Sequence, residues 1–503
     1  MHKLDRQYQQ STYESIVESK QKYLITEAPT GSGKSAYAAQ AGNDGYRTMA
    51  LVRTKSLQEQ YSRSYDFKVV KGKGSYECLH NFVPTCDMCR IDELKLKQDC
   101  KMSCPYPLAV SYMMDSNLAS LNYSKYLTES RPKGLVESYN AKILFLDEAH
   151  QLSDIVIEWS GCTIPWNEYL TRYIEPEEIV SDLPQAIGVS FAVDWLGKLA
   201  VSLDKNEPHL PRRQPTPEQI KEWRRWDALK RKVDNTLDLV DQGTDLWYAQ
   251  SDDKVGFKLK PLTARFHFRD LFKVPKIVMM SATIGNHTAF LAELGIREDY
   301  ESIIVPNVWP GVMRPILDLN APAMTYKATE DDRREHARVI ANAINDCPAN
   351  WNGLVHVTSK AKARDLGQRL RNLTDRPVWI PDNDMGTEWA LSKWLEFDKR
   401  HRGALACTWN MHEGIDLPNL NINITAFVPY PDLGDKFEKL RFDFDPRAAQ
   451  VRVANTMQQE QGRNRRGHEA HYGQDADKLN AIADGKWTRL KWALSEDFKE
   501  AIQ

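Results

Sequence analysis

The chain has 503 residues, 42% of them hydrophobic and 27% charged, and its 67 Lys and Arg against 69 Asp and Glu leave a net charge of −2. That length exceeds one hydrophobic core, so two to four domains are expected, and the composition is that of a globular protein rather than a disordered or membrane one. Near-neutral charge confines any nucleic-acid surface to a local patch, and no apolar run is long enough to span a bilayer, so a soluble, reducing, cytoplasmic setting is expected.

In chain order, short apolar runs alternate with helical patterns. "KYLITEAP" precedes "GKSAYAAQ", "YRTMALVRT" precedes "KSLQEQYSRSY", and "AKILFLDEA" and "KIVMMSAT" follow. Beyond about Pro315 come "GLVHVTS" with "KAKARDLGQRLRN", then "GALACTW" and "NINITAFVPY". Runs of this kind are strands buried on both faces, and their alternation with helices predicts two parallel α/β sheets.

Two segments interrupt the first α/β group. Glu77 to Cys104 holds five of the eight cysteines, and Glu158 to Phe266 carries a long helical pattern with Thr216 as its N-cap and Pro217 at N1. The expected divisions are 1–70, 111–157 and 267–315 for a first motor-type domain and 71–110 for a cysteine domain. A mostly helical insert would fill 158–266, and a second α/β domain 316–503. The remaining cysteines, Cys162, Cys347 and Cys407, stand alone and are expected to pack as small hydrophobes. The tryptophans are expected mainly in cores.

The strongest chemical signal is "EAPTGSGKS", Glu27 to Ser35, between a strand and a helix, with Ala28 in the usual first-glycine place. Such a loop (Thr30, Gly31, Ser32, Gly33) wraps phosphate in backbone amides at a helix N-terminus. Lys34 neutralises the β/γ charge and Ser35 can ligate Mg²⁺. ATP and Mg²⁺ are therefore the expected ligands. The matching acids are in "ILFLDEAHQL": Asp147 to hold Mg²⁺ through water, Glu148 as general base, and His150 to relay the nucleotide state. Late in the chain, "QQEQGRNRRG" places Arg463 and Arg466 at a spacing that puts two guanidiniums on one helix face, an arginine-finger arrangement.

The series "RQYQ", "APTGSGKS", "RTKSLQEQ", "DEAH", "MSAT", "HEGID" and "QEQGRNRR" resembles the helicase motifs of superfamily 2, and in particular its XPD/DinG branch, over nearly the whole chain. "KGKGSYEC" and "CPY" bracket the cysteine segment in the manner of that branch. The resemblance implies two RecA-like motor domains, the first interrupted by an iron–sulfur insert and an arch insert. It makes Arg6 and Gln9 adenine-reading residues, Thr54 a contact to nucleic-acid phosphate, and Ser281 and Thr283 the coupling residues. Glu413, Gly414 and Asp416 would serve nucleotide sensing and strand contact, and Gln459, Arg463 and Arg466 would complete the ATP site. Lys73 and Ser75 depart from the family's arginine and asparagine, and its trailing aspartate-glycine is not clear here.

For the cysteine segment, disulfides, zinc and an iron–sulfur cluster are the chemical options, and a reducing setting favours metal. The resemblance implies a [4Fe–4S] cluster on Cys78, Cys86, Cys89 and Cys104, with Cys100 able to replace Cys86 or Cys89 and zinc as the alternative. The implied activity is an ATP-dependent DNA helicase, a monomeric motor moving 5′ to 3′ on single-stranded, forked or tailed DNA in repair or replication. A DNA-stimulated ATPase that remodels protein–nucleic acid complexes and an ATP-switched junction-binding module are the other readings.

Overall fold

In the computed structural model, all residues are described except 1–6, 30–31, 80–83, 89–102, 131–133, 178–184, 212–214, 241–245, 253–255, 306–314, 382–386, 410, 412–419 and 463–477. The chain forms two compact units. One comprises Met1–Thr26, Gly33–Ser281 and Leu291–Ile303, and the other Glu27–Ser32, Ala282–Phe290 and Ile304–Gln503.

The first unit is built on β1 (Tyr23–Glu27), β2 (Thr48–Val52), β3 (Lys68–Val69), β4 (Leu118–Asn122) and β5 (Ile143–Asp147). An inserted three-stranded sheet holds β6 (Cys162–Ile164), β7 (Trp247–Asp252) and β8 (Gly256–Pro261), after which β9 (Lys276–Ser281) and β10 (Tyr300–Ile304) return to the main sheet. The main sheet runs β10-β1-β9-β5-β2-β4-β3. The β2–β4, β2–β5, β3–β4 and β5–β9 pairs are parallel.

Strands β2 and β5 are buried along their full length, as unbroken "TMALV" and "ILFLD" runs require when both faces are covered. Side-chain alternation sends Ile143, Phe145, Ala50, Val52, Val278 and Met280 into one core with Tyr13, Tyr37 and Tyr61 from the flanking helices. Burying a side chain such as Phe145, which has no exposed surface, contributes about 2–3 kcal/mol.

The second insert carries the expected long helix, Pro217–Val240, and a second one that the sequence reading did not single out, Gln185–Lys205. Thr216 and Gln219 form a reciprocal capping box at the start of the former, with Thr216 N–H to Gln219 Oε1 at 2.9 Å and Gln219 N–H to Thr216 Oγ1 at 3.3 Å. The periodicity did not reveal the antiparallel β6-β8-β7 sheet beneath these helices. Trp195 stacks on Phe257 of that sheet at 4.4 Å, and Cys162 is fully buried in the same core.

The second unit contains β11 (Leu317–Asp318), β12 (Gly353–His356), β13 (Val378–Trp379), β14 (Leu405–Thr408), β15 (Ile422–Thr425) and β16 (Leu479–Ile482). They form one parallel sheet ordered β11-β16-β15-β12-β14-β13. The helices Glu330–Asn345 and Lys360–Leu373 start at Thr329 and Ser359, whose hydroxyls accept from the third residue on, and their apolar sides enter the core with Val355, Ile424 and Cys407. Two parallel α/β sheets, the first with inserts, are the architecture expected from the sequence.

Candidate active site

Strand β1 leads into the phosphate-loop segment and strand β5 ends on Asp147, with β9 alone between them. The helix Lys34–Asn43 begins at Gly33, whose φ of +87° is open to glycine, and no side chain caps it. A Cβ on Gly33 would stand 2.4 Å from Gln9 Nε2, so the buried Gln9 side chain lies directly on the loop. Ser35 follows in the first helical turn, as does Lys34. Arg6, Thr30 and Gly31 lie outside the described residues.

Asp147 is 8% exposed. Its Oδ1 accepts the Glu148 backbone N–H at 3.0 Å, and its Oδ2 accepts the Tyr61 hydroxyl at 3.0 Å. Burial, reinforced by the neighbouring Glu148 charge, pushes the Asp147 carboxyl up to about 6, against the opposing pull of Lys34 and the two hydrogen bonds. Glu148 sits in the left-handed region at φ 52°, ψ 45°, an unfavourable conformation for a side chain with a Cβ and one that clusters at functional sites. The strain turns the glutamate out of the strand's alternation. Among the described residues its Oε2 has no hydrogen-bond partner, and it lies 3.4 Å from His150 Nδ1. These hard, partly unsatisfied carboxylate oxygens beside Lys34 fit a Mg²⁺-nucleotide.

His150 Nδ1 also meets Ser281 Oγ at 2.9 Å, joining the end of β5 to the end of β9. Thr54, at the other expected contact, caps the helix Lys55–Tyr65 by accepting from Leu57 N–H at 3.2 Å.

In the second unit, Gln459 Nε2 donates to Thr283 Oγ1 at 2.6 Å. The helix Pro446–Gly462 that carries it uses its neighbours as well. Gln458 Oε1 accepts from Ser495 N and Oγ at 2.9 and 2.8 Å, Glu460 Oε2 accepts from Thr425 at 2.9 Å, and Gln461 Nε2 donates to Thr425 Oγ1 and Ala481 O at 3.0 and 2.9 Å. Sequence reading did not single out Glu460 and Gln461, which are buried and anchor the helix to β15 and β16. Two polar residues facing a sheet read as a solvated run when only the string is seen. In the same unit, His287 Nε2 meets Glu27 Oε2 at 2.8 Å. Glu413, Gly414, Asp416, Arg463 and Arg466 lie outside the described residues.

The cysteine segment opens on a short hairpin. Glu77 bridges Thr85, Cys78 N–H reaches Pro84 O at 3.2 Å and Cys86 N–H reaches Tyr76 O at 2.9 Å, so Cys78 and Cys86 lie across one ladder. Cys104 precedes the helix Pro105–Met114, and Tyr106 of its first turn packs edge-on against Tyr76 at 5.6 Å. Cys89 and Cys100 lie outside the described residues, and among the described residues no three His, Cys, Asp or Glu side chains are grouped to hold a metal. The hairpin docks on the second insert: Arg224 Nη2 donates to Thr85 Oγ1 at 2.6 Å and its Nε lies 3.3 Å from Asp87, while Cys78 packs on Leu210 with Ile220 and Trp223 alongside. Among the described residues no helix is long and apolar enough to cross a membrane.

Comparison with known proteins supplies the relatives. The DEAD_2 family model matches residues 51–168. A solved XPD helicase aligns over 99% of this chain and 98% of its own, with 14% identity and a TM-score of 0.60. An apo XPD structure (98% of both chains, 14% identity, TM-score 0.57) and S. tokodaii Xpd4 (99% of both, 14%, 0.56) align likewise. No curated protein sequence matches the chain significantly. The chain therefore has the fold of the XPD helicases.

Proposed function

We propose that the chain is an ATP-dependent DNA helicase that draws single-stranded DNA along itself 5′ to 3′ and unwinds the duplex ahead, with a [4Fe–4S] domain where the strands part. The observation that carries this reading is the pairing of Gly33-Lys34 with the strained Asp147-Glu148 at strand ends one strand apart, within a fold shared with XPD helicases.

Lys34 and the loop amides hold the phosphates, and Gln9 with Arg6 reads the adenine. Glu148 takes a proton from water as its oxygen bonds to the γ-phosphorus, and the bond to the bridging oxygen breaks with its electron pair leaving on ADP. Ser35 and Asp147 would hold magnesium, which would supply neutralising charge to the phosphates. The His150–Ser281 contact reports that state along β9. Thr54, Glu413 and Gly414 meet the strand, whose backbone charge and stacked bases supply the grip. The cluster would be held by Cys78, Cys104 and two of Cys86, Cys89 and Cys100, four thiolates being sufficient.

The test is unwinding of tailed duplexes of both polarities by the full chain, with iron and zinc quantified in anaerobically purified protein. ATP-dependent displacement from 5′ tails, lost in Lys34→Ala, is expected together with about four irons per chain. DNA-stimulated hydrolysis without displacement would instead identify a remodelling ATPase, and binding without hydrolysis a switched junction module. Stoichiometric zinc in a colourless preparation would overturn the cluster.

A further inference from the structure

We infer that Tyr61 is a positioning residue for Asp147, and that through it the helix Lys55–Tyr65 ties the expected nucleic-acid contact at Thr54 to the acid that would hold Mg²⁺. This rests on the function proposed above and deepens it, by naming the element through which a bound strand acts on the hydrolytic centre.

The two oxygens of the Asp147 carboxylate are each pinned by one donor. Oδ1 accepts from the next residue's backbone N–H, a bond any side chain at position 148 would leave available. Oδ2 accepts from Tyr61, 86 positions away and on a different element, at 3.0 Å. The Asp147 carbonyl takes a third bond, from the Tyr123 hydroxyl at 2.7 Å, which fixes the backbone and not the carboxylate. A carboxylate's terminal torsion is broad and two-fold, so without the phenol little else sets the plane of this group. A charge-assisted bond of this kind is about twice as strong as a neutral one.

Tyr61 is itself held firmly. It is 2% exposed, packs edge-on against Phe67 at 5.2 Å, and belongs to the core that includes Ala50, Val52 and Phe145. Gln58, fully buried one turn earlier, donates to Ser120 O at 3.3 Å and anchors the same helix to β4. From the cap at Thr54 to Tyr61 is roughly 10 Å along the helix axis. A helix with one buried face and one capped end moves as a unit, so a phosphate that tightens the Thr54 end shifts the phenol, and with it the orientation of Asp147.

The test compares wild type with Tyr61→Phe, which removes the one oxygen, and with Tyr139→Phe as a matched control. Tyr139 is a fully buried tyrosine whose hydroxyl donates to Thr48 O and Ser116 O at 3.0 and 3.1 Å, away from every candidate site residue. Two readouts are taken: the Mg²⁺ concentration giving half of the ADP-induced rise in melting temperature, and the factor by which single-stranded DNA stimulates ATP hydrolysis. In Tyr61→Phe the Mg²⁺ midpoint should rise by roughly tenfold to a hundredfold and the stimulation should fall by a similar factor, the size of effect a hydrogen bond to a charged group produces. Affinity for DNA should stay within about twofold of wild type, and Tyr139→Phe should change neither readout. Should Tyr61→Phe fold poorly, Tyr61→Leu, which also lacks the hydroxyl, is read in the same two assays. Wild-type values for both readouts in the Tyr61 variants, with wild-type hydrolysis intact and DNA-stimulated, overturn this inference and leave the proposed function standing. Wild-type protein that neither binds nor hydrolyses ATP overturns both.

Discussion

The imidazole of His150 and the hydroxyl of Ser281 meet at 2.9 Å across 131 positions of sequence, both buried, at the ends of neighbouring parallel strands. The contact joins the turn that follows the acidic pair to the end of the strand that leads toward Thr283. Ser281→Ala should therefore lower unwinding more than hydrolysis. A fall in strand displacement of about fivefold with hydrolysis within roughly twofold is expected, since one buried hydrogen bond is worth ~1 kcal/mol. Parallel ATPase and displacement measurements check it, and an equal loss in both would assign Ser281 to chemistry instead of coupling.

Glu148→Gln keeps the shape of the residue that holds the left-handed conformation and removes its basicity. ATP binding should persist while turnover falls by about a hundredfold or more. A filter-binding measurement beside a phosphate-release assay distinguishes this outcome from a folding defect. Retention of turnover would transfer the base role elsewhere.

Gln461 is fully buried, and its amide donates to both Thr425 and Ala481. Gln461→Ala removes two bonds and leaves the Ala481 carbonyl without that donor, so the second unit should lose about 1–3 kcal/mol. Denaturant unfolding followed by fluorescence from that unit's tryptophans, Trp394 and Trp487 among them, reads the change. Mutation of the exposed Arg338 on the same unit, which pairs with Glu335 three residues before it, should cost under about 1 kcal/mol.

His336 is buried against Phe427, with Nε2 2.7 Å from Ala426 O, and burial lowers its pKa below the ordinary 6.5. The unfolded chain takes up this proton near pH 6.5 while the folded chain resists it, so its stabilising contribution is complete above that pH and is lost as pH falls below it. The slope attributable to one proton is at most ~1.4 kcal/mol per pH unit. Urea melts at pH 5.5 to 7.5 should therefore show a steeper acid decline in wild type than in His336→Gln. Parallel curves would remove His336 as the cause.

Much of the candidate site was legible before any fold was known, because its parts are local strings. The phosphate loop, the Asp147-Glu148 pair and the Thr216 cap each depend on neighbours within a few residues, whereas Gln9 on the loop and Ser281 beside His150 are contacts that only the fold brings together. What was not legible has a common cause. Tyr61 reads as one more aromatic within a polar helix, Gln461 as part of a polar run, and β6 to β8 as short pieces between long helices. Each acquires its meaning from a partner far along the chain.

The sequence by itself determined the parallel α/β alternation, the two inserts and the chemistry available at Lys34, Asp147 and Glu148. Apolar runs that can only be buried strands and glycines that only a tight loop needs are local consequences of side-chain physics. The tertiary structure alone decided the strand order that sets β1 and β5 one strand apart, the antiparallel sheet under the insert helices, and the phenol that holds Asp147 in place. Those features are hydrogen bonds and packings between distant segments, whose free energy exists only once the chain has brought them together.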